Sequence, residues 1–194
     1  CMDLPAQYGA DYERGTGGNR AMLSAYRVLD ITDQRGHLAG LMLSMLGAEV
    51  IKIEPPEGVA TRRSGPFDDS GNSLTHLAYD RGKKSVVLDL TSSEGRSRLL
   101  DLVEGADCLI ESQGAGVLES LGLSYQYLLD RNPSLVVGTL TAFGHTGPKA
   151  SWPATDLTLM ASACTMAFTG DADRSPLRVS VPQAFHFGAA VLAG

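Results

Sequence analysis

Five short apolar segments recur along the chain, and each is followed by residues with helical spacing of apolar side chains. Short strands that alternate with helices are typical of units in which two parallel strands are joined by a helical crossover. The sequence therefore predicts an α/β fold with a Rossmann-like, mostly parallel sheet flanked by helices. The predicted strands are 27–31, 49–54, 85–90, 107–111 and 135–141.

The first strand–helix–strand unit is the most clearly marked. A helix is predicted over 37–46, and Gly47 stands in the position that glycine favours just past a helix. The strand 49–54 is then stopped by Pro55 and Pro56. Two strands joined in this way imply a right-handed crossover.

The remaining helices are predicted from shorter patterns. Thr91 and Glu94 resemble a capping box, so a helix should begin after Thr91 and run to about Val103. Other helices are predicted at 74–80, 116–121, 125–131 and from about 182 to 194, and a short extended piece at 177–181.

The ends of the chain differ in character from its middle. Residues 1–25 are rich in glycine and polar side chains, which predicts a flexible lead-in before a single domain at 26–194. The last predicted helix reaches Gly194 without a stop signal, so we expect the domain to be a fragment of a longer chain. Its apolar side chains predict association with a second copy or with a complementary chain.

Composition excludes several functions and locations. The net charge of −6 argues against nucleic-acid binding, and no apolar run approaches the roughly 20 residues that span a membrane. The chain does not open with a charged segment followed by an apolar one, so no secretory signal is predicted. Cys108 and Cys164 are interpreted as core residues in a reducing compartment, which predicts a cytoplasmic protein.

The stretch from Leu135 to Gly170 holds the main candidate for chemistry. A buried strand leads into the loop Phe143–Pro148, with the sequence FGHTGP, and then to Asp156. Apolar residues follow at helical spacing, so Asp156 is predicted to be the N-cap of a helix. A loop at the carboxyl end of a strand is also where open α/β sheets bind ligands. Both interpretations of Asp156, a helix cap or a functional carboxylate, stay open on this pattern.

Four further segments follow a recognisable order with that stretch. They are Val28–Asp30, Leu46–Glu54 (LGAEVIKIE), Lys83–Leu90 (KKSVVLDL) and Ala106–Glu111 (ADCLIE). Together the five segments resemble the class III (CaiB/BaiF, formyl-CoA transferase-like) CoA-transferases, over about residues 27–194. The resemblance covers the N-terminal half of that family's chains.

The resemblance implies a function for Asp156. In that family the matching aspartate attacks the thioester of an acyl-CoA and forms a mixed anhydride, and then an aspartyl-CoA thioester that passes CoA to an acceptor acid. The resemblance therefore implies an enzyme with acyl-CoA and carboxylic acid substrates, although it could be inactive as this fragment. Coenzyme A would be a substrate with no tightly bound cofactor, and family members form dimers.

Basic and loop residues are the candidates for holding coenzyme A. Arginine makes bidentate contacts with phosphate, and lysine supplies a mobile charge. The histidines have no spacing typical of a metal site, so none is predicted. The residues predicted to contact coenzyme A are Gln34, Arg35, Gly36, Arg62, Lys83, Lys84, Gln113 and Phe143.

The chain departs from the family in two loops. Residues 35–38 read RGHL where the family commonly has QAGP, and 111–116 read ESQGAG where it has a pattern of the form E-N-F/Y-x-P-G. The asparagine and aromatic side chains that help to hold coenzyme A there are missing, and Ser120 replaces a frequent arginine. These changes favour an alternative, a non-catalytic CoA-transferase-like subunit or fragment that binds a partner chain.

Two other enzyme classes are disfavoured. Gly114 and Gly116 resemble the start of a dinucleotide-binding loop, but Glu119 stands at the third glycine position. The acyl-CoA racemase branch of the family uses a histidine where this chain has Thr155, and an acid near 184–186, where none is present.

Overall fold

The computed structural model describes residues 21–178 and 182–194. Within these ranges all the sheet pairings are parallel, in the order β3-β2-β1-β4-β5. This confirms the predicted α/β fold with its parallel sheet. The strands are β1 Arg27–Ile31, β2 Glu49–Glu54, β3 Lys84–Val87, β4 Cys108–Glu111 and β5 Val136–Thr139.

Helices connect the strands and cover both faces of the sheet. The α-helices are α1 His37–Met45, α2 Leu74–Tyr79, α3 Ser93–Glu104, α4 Val117–Ser120, α5 Tyr125–Arg131, α6 Asp156–Ser162 and α7 Ala184–Ala193. Two short 3₁₀ turns lie at Ala60–Arg63 and Thr165–Phe168. Among the described residues, no helix combines the length and the apolar character needed to cross a bilayer.

The two faces of the sheet build two cores because successive strand residues point to opposite sides. Leu29 and Leu109 are buried on the face that packs against Leu99 of α3. Their neighbours Val28 and Ile110 are buried on the other face, against α1 and α7. Each fully buried side chain of this kind contributes roughly 1.5–3 kcal/mol.

The strand order reverses at the centre of the sheet, where open α/β sheets form a crevice for ligands. The chain runs outward from β1 through β2 to β3, and then crosses back so that β4 and β5 lie on the other side of β1. Ligands of open α/β sheets bind at such a reversal, outside the carboxyl ends of the strands. The loops that follow β1 and β4 therefore border the expected site.

Some local predictions were wrong. The side chain of Ser92 caps α3 by accepting from the Gly95 N–H at 3.0 Å, whereas the predicted cap Thr91 donates its hydroxyl to Asp89 at 2.6 Å. Cys164 is exposed, with a positive φ of 57°, because α6 ends before it. Cys108, by contrast, is partly buried and packs against the core, as the sequence indicated.

The predicted lead-in and extended piece lie partly outside the described residues. Residues 1–20 are not described, but Leu23 packs against the core beneath α1 and α7. Residues 179–181 of the extended piece are also outside the described ranges.

Candidate active site

Asp156 begins α6, but it does not cap the helix. Thr155 is the N-cap: its hydroxyl accepts from the Thr158 N–H at 3.3 Å, and the Thr158 hydroxyl receives the Thr155 N–H at 2.9 Å. The prediction that Asp156 is the N-cap was therefore wrong by one residue. Because Thr155 caps the N-terminus of α6, the carboxylate of Asp156 is available for other contacts.

The Asp156 carboxylate is bound by the start of a second helix. Its Oδ1 accepts hydrogen bonds from the backbone N–H groups of Gln183 at 2.7 Å and Ala184 at 2.8 Å. Gln183 is the N-cap of α7 and Ala184 is its first residue. The N-terminus of a helix is favourable for an anion because its first N–H groups have no partner within the helix.

The second carboxylate oxygen, Oδ2, has different surroundings. Oδ2 is shielded from solvent and has no hydrogen-bond partner among the described residues, although the residue as a whole is partly exposed. A shielded polar atom without a partner is uncommon in proteins, and a catalytic role is one explanation for it. The geometry thus fixes Oδ1 with two hydrogen bonds and leaves Oδ2 without a partner among the described residues.

A cleft of about 260 Å³ lies between the end of β5, α6 and the first turns of α7, and Asp156 itself is not one of its lining residues. Ala184, whose N–H binds Asp156, belongs to its wall together with Phe185. The side chains of the wall are mainly apolar. Its lining residues are Leu140, Thr141, Ala142, Leu159, Met160, Ala163, Thr165, Ala184, Phe185, Phe187 and Gly188.

The loops after β1 and β4 meet at the reversal of strand order. The Asp33 N–H donates to the Ser112 hydroxyl, which in turn donates to the Asp33 carboxylate, both at 2.9 Å. The Gln113 side chain donates to the carbonyl of Ile31 at 3.0 Å. These bonds bring the predicted residue Gln113 beside the loop that carries Gln34, which is exposed.

Arg35 and Gly36 link that crevice to α7. The Arg35 guanidinium pairs with Asp33 at 2.7 Å and lies 5.9 Å from the centre of the Phe185 ring. Gly36 is buried against Thr32, and a Cβ at this position would lie 2.6 Å from the threonine methyl carbon. Arg35 therefore stands next to the helix turn that holds Asp156.

The remaining basic candidates are engaged in ion pairs. Arg62 binds both oxygens of the buried Glu54 carboxylate at 2.6 Å each. Burial alone would raise the pKa of Glu54, but the hydrogen bonds from Arg62 and Ser85 hold this pKa at about 2. Lys84 pairs with Glu49 near the amino ends of the strands, away from the crevice.

Lys83 is buried rather than exposed. Its ammonium donates to Asp30 at 2.9 Å, to Asp80 at 2.8 Å and to the His37 carbonyl at 3.0 Å. These three acceptors use all three N–H bonds of the ammonium, so none is left for a phosphate. Sequence reasoning placed Lys83 in a phosphate cradle, whereas the structure places it in an internal ionic network.

That network also includes Lys52, which sequence reasoning did not single out. Lys52 lies in β2 with its side chain only 2% exposed, and it pairs with Asp30 at 3.0 Å. Burial would raise the pKa of Asp30, but the charges of Lys52 and Lys83 hold it below its usual value. The pattern VIKIE could have indicated this network: it places Lys52 inside a buried strand, and a lysine is almost never buried unless it is paired.

The loop before α6 carries two aromatic clusters. Phe143 packs edge-on against Trp152, with ring centres 6.3 Å apart. His145 lies 3.4 Å from the Tyr125 hydroxyl, which donates to the buried Glu111 carboxylate at 3.0 Å. Burial, followed by the charge of Glu111, raises the pKa of Tyr125. These contacts tie the loop to the carboxyl edge of the sheet.

A histidine pair joins α1 to α7. The Nε2 atoms of His37 and His186 are 3.4 Å apart, and Tyr79 stacks on His37 with ring centres 4.0 Å apart. Burial is the largest influence on His37 and lowers its pKa to about 4, although Asp80 acts in the opposite direction. In residues 21–178 and 182–194, no group of three or more His, Cys, Asp or Glu side chains is placed to hold a metal ion.

Comparison with known proteins identifies the family. Residues 23–194 match the model of CoA-transferase family III. The chain is 38% identical over 174 residues to succinyl-CoA:(R)-benzylsuccinate CoA-transferase subunit BbsE of Thauera aromatica, covering 88% of this chain and 42% of that protein. It is 42% identical over 144 residues to the probable fatty acyl-CoA transferase Rv3272 of Mycobacterium tuberculosis, covering 73% of this chain and 36% of that protein.

Comparison with solved structures points to the same family. The structure of Rv3272 superposes with a TM-score of 0.82 at 36% identity, over 91% of this chain and 49% of that chain. A CaiB/BaiF family protein from Brucella suis gives a TM-score of 0.82 at 34% identity, over 90% and 48% of the two chains. The chain thus spans less than half the length of these relatives. On the family match, the relatives and the shared fold, this chain belongs to CoA-transferase family III.

Proposed function

We propose that the full-length protein transfers coenzyme A from an acyl-CoA donor to a carboxylic acid acceptor, with Asp156 as the nucleophile. One observation carries the proposal: the Asp156 carboxylate has one oxygen bound by two N–H groups and the other without a partner among the described residues. A carboxylate is a competent covalent catalyst when it is positioned against its substrate. The family to which the chain belongs supports the reaction class.

The proposed reaction has four exchanges. Oδ2 of Asp156 attacks the thioester carbonyl, which expels the CoA thiolate and leaves a mixed anhydride. The thiolate attacks Cγ of Asp156, which releases the donor acid and leaves an aspartyl-CoA thioester. The acceptor carboxylate attacks Cγ and expels the thiolate again, and the thiolate then attacks the acceptor's carbonyl. Free Asp156 and the new acyl-CoA result.

The surroundings of Asp156 suit these substrates. The adjoining cleft offers an apolar wall to the acyl group. For coenzyme A, the proposal retains Gln34, Arg35, Gly36 and Gln113 at the crevice and Phe143 in the loop before α6. Arg62, Lys83 and Lys84 are left out of the proposed contacts because carboxylates of this chain already bind them.

The experiment is covalent trapping in the full-length protein. Incubation with acyl-CoA and then borohydride or hydroxylamine should modify Asp156, as read by peptide mass spectrometry. Asp156→Ala should reduce transfer by at least about a thousandfold, as the loss of a catalytic nucleophile does elsewhere. The exposed Asp69, far along the chain from the site, supplies Asp69→Ala as a matched control that keeps wild-type transfer.

Two outcomes would overturn this proposal. Near-normal transfer by Asp156→Ala, or trapping at another residue, would show that Asp156 is not the nucleophile. Failure of both labelling and CoA binding by calorimetry would favour the alternative, a non-catalytic subunit that binds a partner chain. The substitutions at 35–38 and 111–116 would then account for the loss of CoA binding.

A further inference from the structure

Two of the four proposed exchanges pass through a tetrahedral state centred on Cγ of Asp156, in which Oδ1 carries the negative charge. When a thiolate or an acceptor carboxylate attacks Cγ, the electrons of the Cγ–Oδ1 double bond move onto Oδ1. The electrons return when the leaving group departs. In the first case the Cγ–Oδ2 bond breaks and the donor acid leaves with Oδ2; in the second the Cγ–S bond breaks and the CoA thiolate leaves. Donors aimed at such an oxygen lower the barrier, because charge develops where they already point.

The observed hydrogen bonds meet that requirement. Oδ1 lies 2.7 Å from the Gln183 nitrogen and 2.8 Å from the Ala184 nitrogen, within the range of charge-assisted bonds. Oδ2, which forms the anhydride bond, has no partner among the described residues. The two oxygens are therefore distinguished before any substrate binds.

The donors belong to the start of a helix that packs against the core. The α7 helix is ten residues long, and its first turn is joined to α1 by the His37–His186 pair. Because Gln183 and Ala184 are the N-cap and the first helical residue, neither N–H has an acceptor within the helix. The bond to Asp156 thus costs the helix no hydrogen bond of its own.

We infer that the backbone N–H groups of Gln183 and Ala184 form an oxyanion hole for the aspartyl carbonyl, acting each time Cγ of Asp156 is attacked. The inference rests on the proposed function, since it needs Asp156 to carry the intermediates. It assigns α7 a catalytic role that involves no side chain. It also separates the steps: attack on Cγ forms its oxyanion on Oδ1, where these donors point, whereas attack on the acyl carbonyl forms its oxyanion on the acyl oxygen.

The test removes one N–H group that binds Asp156, and it also weakens the Gln183 carbonyl, which accepts from the Phe187 N–H at 3.0 Å. In the full-length protein, Ala184 is replaced by lactic acid through nonsense suppression, which turns the Gln183–Ala184 amide into an ester. Formation and consumption of the aspartyl-CoA thioester should slow by roughly a hundredfold or more, the usual cost of one oxyanion-hole donor. The KM for the donor acyl-CoA should change little. The same replacement at Ala190, further along α7, is the matched control and should keep the wild-type rate.

A spectroscopic readout checks the same point without kinetics. With ¹³C-labelled aspartate, the carbonyl stretch of the trapped aspartyl-CoA thioester should rise in frequency in the Ala184 ester, because one hydrogen bond that polarises the carbonyl is gone. The control ester should leave the frequency unchanged.

The outcomes separate this inference from the proposed function. If the wild-type protein forms no intermediate at Asp156, the proposed function fails, and this inference fails with it. If the intermediate forms and the Ala184 ester matches the wild type in rate and in carbonyl frequency, the inference alone is overturned. A slower rate with an unchanged carbonyl frequency would also overturn it, since the N–H would then act by some other route.

Discussion

Asp30 in β1 and Asp156 in α6 are both carboxylates of the same domain, yet they have opposite surroundings. Asp30 is fully buried, and its two oxygens accept from Lys52 at 3.0 Å and Lys83 at 2.9 Å. Thr32 adds its N–H at 2.9 Å and its hydroxyl at 2.7 Å. Every oxygen of Asp30 is occupied by a donor, and two of the four donors carry a positive charge.

Asp156 has two backbone donors on a single oxygen and no cation bound to it among the described residues. A carboxylate saturated by cations is a good anchor and a weak nucleophile, because attack would remove the charge that its neighbours stabilise. One held by neutral N–H groups on a single oxygen leaves the other oxygen without a donor. The number and kind of donors, more than burial itself, separate the structural carboxylate Asp30 from Asp156, the proposed nucleophile.

The largest effect expected from this contrast is on stability. Asp30→Asn leaves two buried ammonium groups with only Asp80 to balance them, so the free energy of unfolding should fall by about 3–5 kcal/mol. Asp156→Asn is the matched control: its amide oxygen can still accept both N–H groups, so the loss should stay below about 1 kcal/mol. Urea denaturation measures both values.

A second substitution sharpens this prediction. Lys52→Met added to Asp30→Asn restores charge balance, so the double variant should recover part of the lost stability. Equal losses for Asp30→Asn and Asp156→Asn would contradict the contrast between the two carboxylates.

A smaller effect depends on pH and concerns His37. Its carbonyl accepts from Lys83 in the Asp30 network, and its ring contacts His186 of α7. Its pKa is about 4 in the folded protein, lowered from 6.5 mainly by burial. Between these pH values the unfolded chain binds a proton that the folded protein does not, so stability falls as the pH drops from about 6.5 to 4. The loss should be on the order of 2 kcal/mol.

The measurement compares unfolding at pH 7 and pH 5, where most carboxylates remain ionised in both states. His37→Gln does not titrate and should show a flatter dependence over this interval than the wild type. Identical slopes for the two proteins would show that His37 is not kept neutral by its surroundings.

The smallest effects concern two helical glycines: Gly40 in α1, beside Asp30, and Gly188 in α7, the helix that binds Asp156. A Cβ at Gly40 would lie 2.3 Å from the Asp30 carboxylate and 2.9 Å from the Lys83 ammonium, so Gly40→Ala should cost about 1–3 kcal/mol. A Cβ at Gly188 would lie 2.7 Å from the tip of Leu140, a flexible side chain. The helix propensity of alanine offsets that contact, so Gly188→Ala should change stability by less than about 1 kcal/mol. Thermal unfolding distinguishes the two, and a larger loss at Gly188 would refute the comparison.

The architecture followed from the sequence because strand and helix patterns are local. The strands 27–31 and 49–54 were predicted with the observed bounds, and the parallel sheet was confirmed. Three strands proved shorter than predicted, for example Val136–Thr139 within 135–141. Hydrophobic pattern marks where a segment is buried, whereas strand ends are set by where pairing with the neighbouring strand stops.

The candidate site was predictable only in part. A carboxylate at the start of a helix, after a strand and a turn-rich loop, could be found at Asp156 from the chain alone. Its exact cap could not, because Thr155 and Asp156 are both common N-cap residues and only the hydrogen bonds distinguish them. Lys83 was placed in a phosphate site because an exposed lysine and a buried one look alike in a sequence.

The sequence by itself determined the α/β layers, the parallel sheet and the position of Asp156 at the start of a helix, since each rests on the spacing of neighbouring residues. Tertiary structure decided what each charged group faces. The N–H groups of Gln183 and Ala184 reach Asp156 from 27 and 28 residues away. Every residue except proline carries such a group, so no side chain marks these two, and only the packing of α7 beside α6 turns them toward the carboxylate.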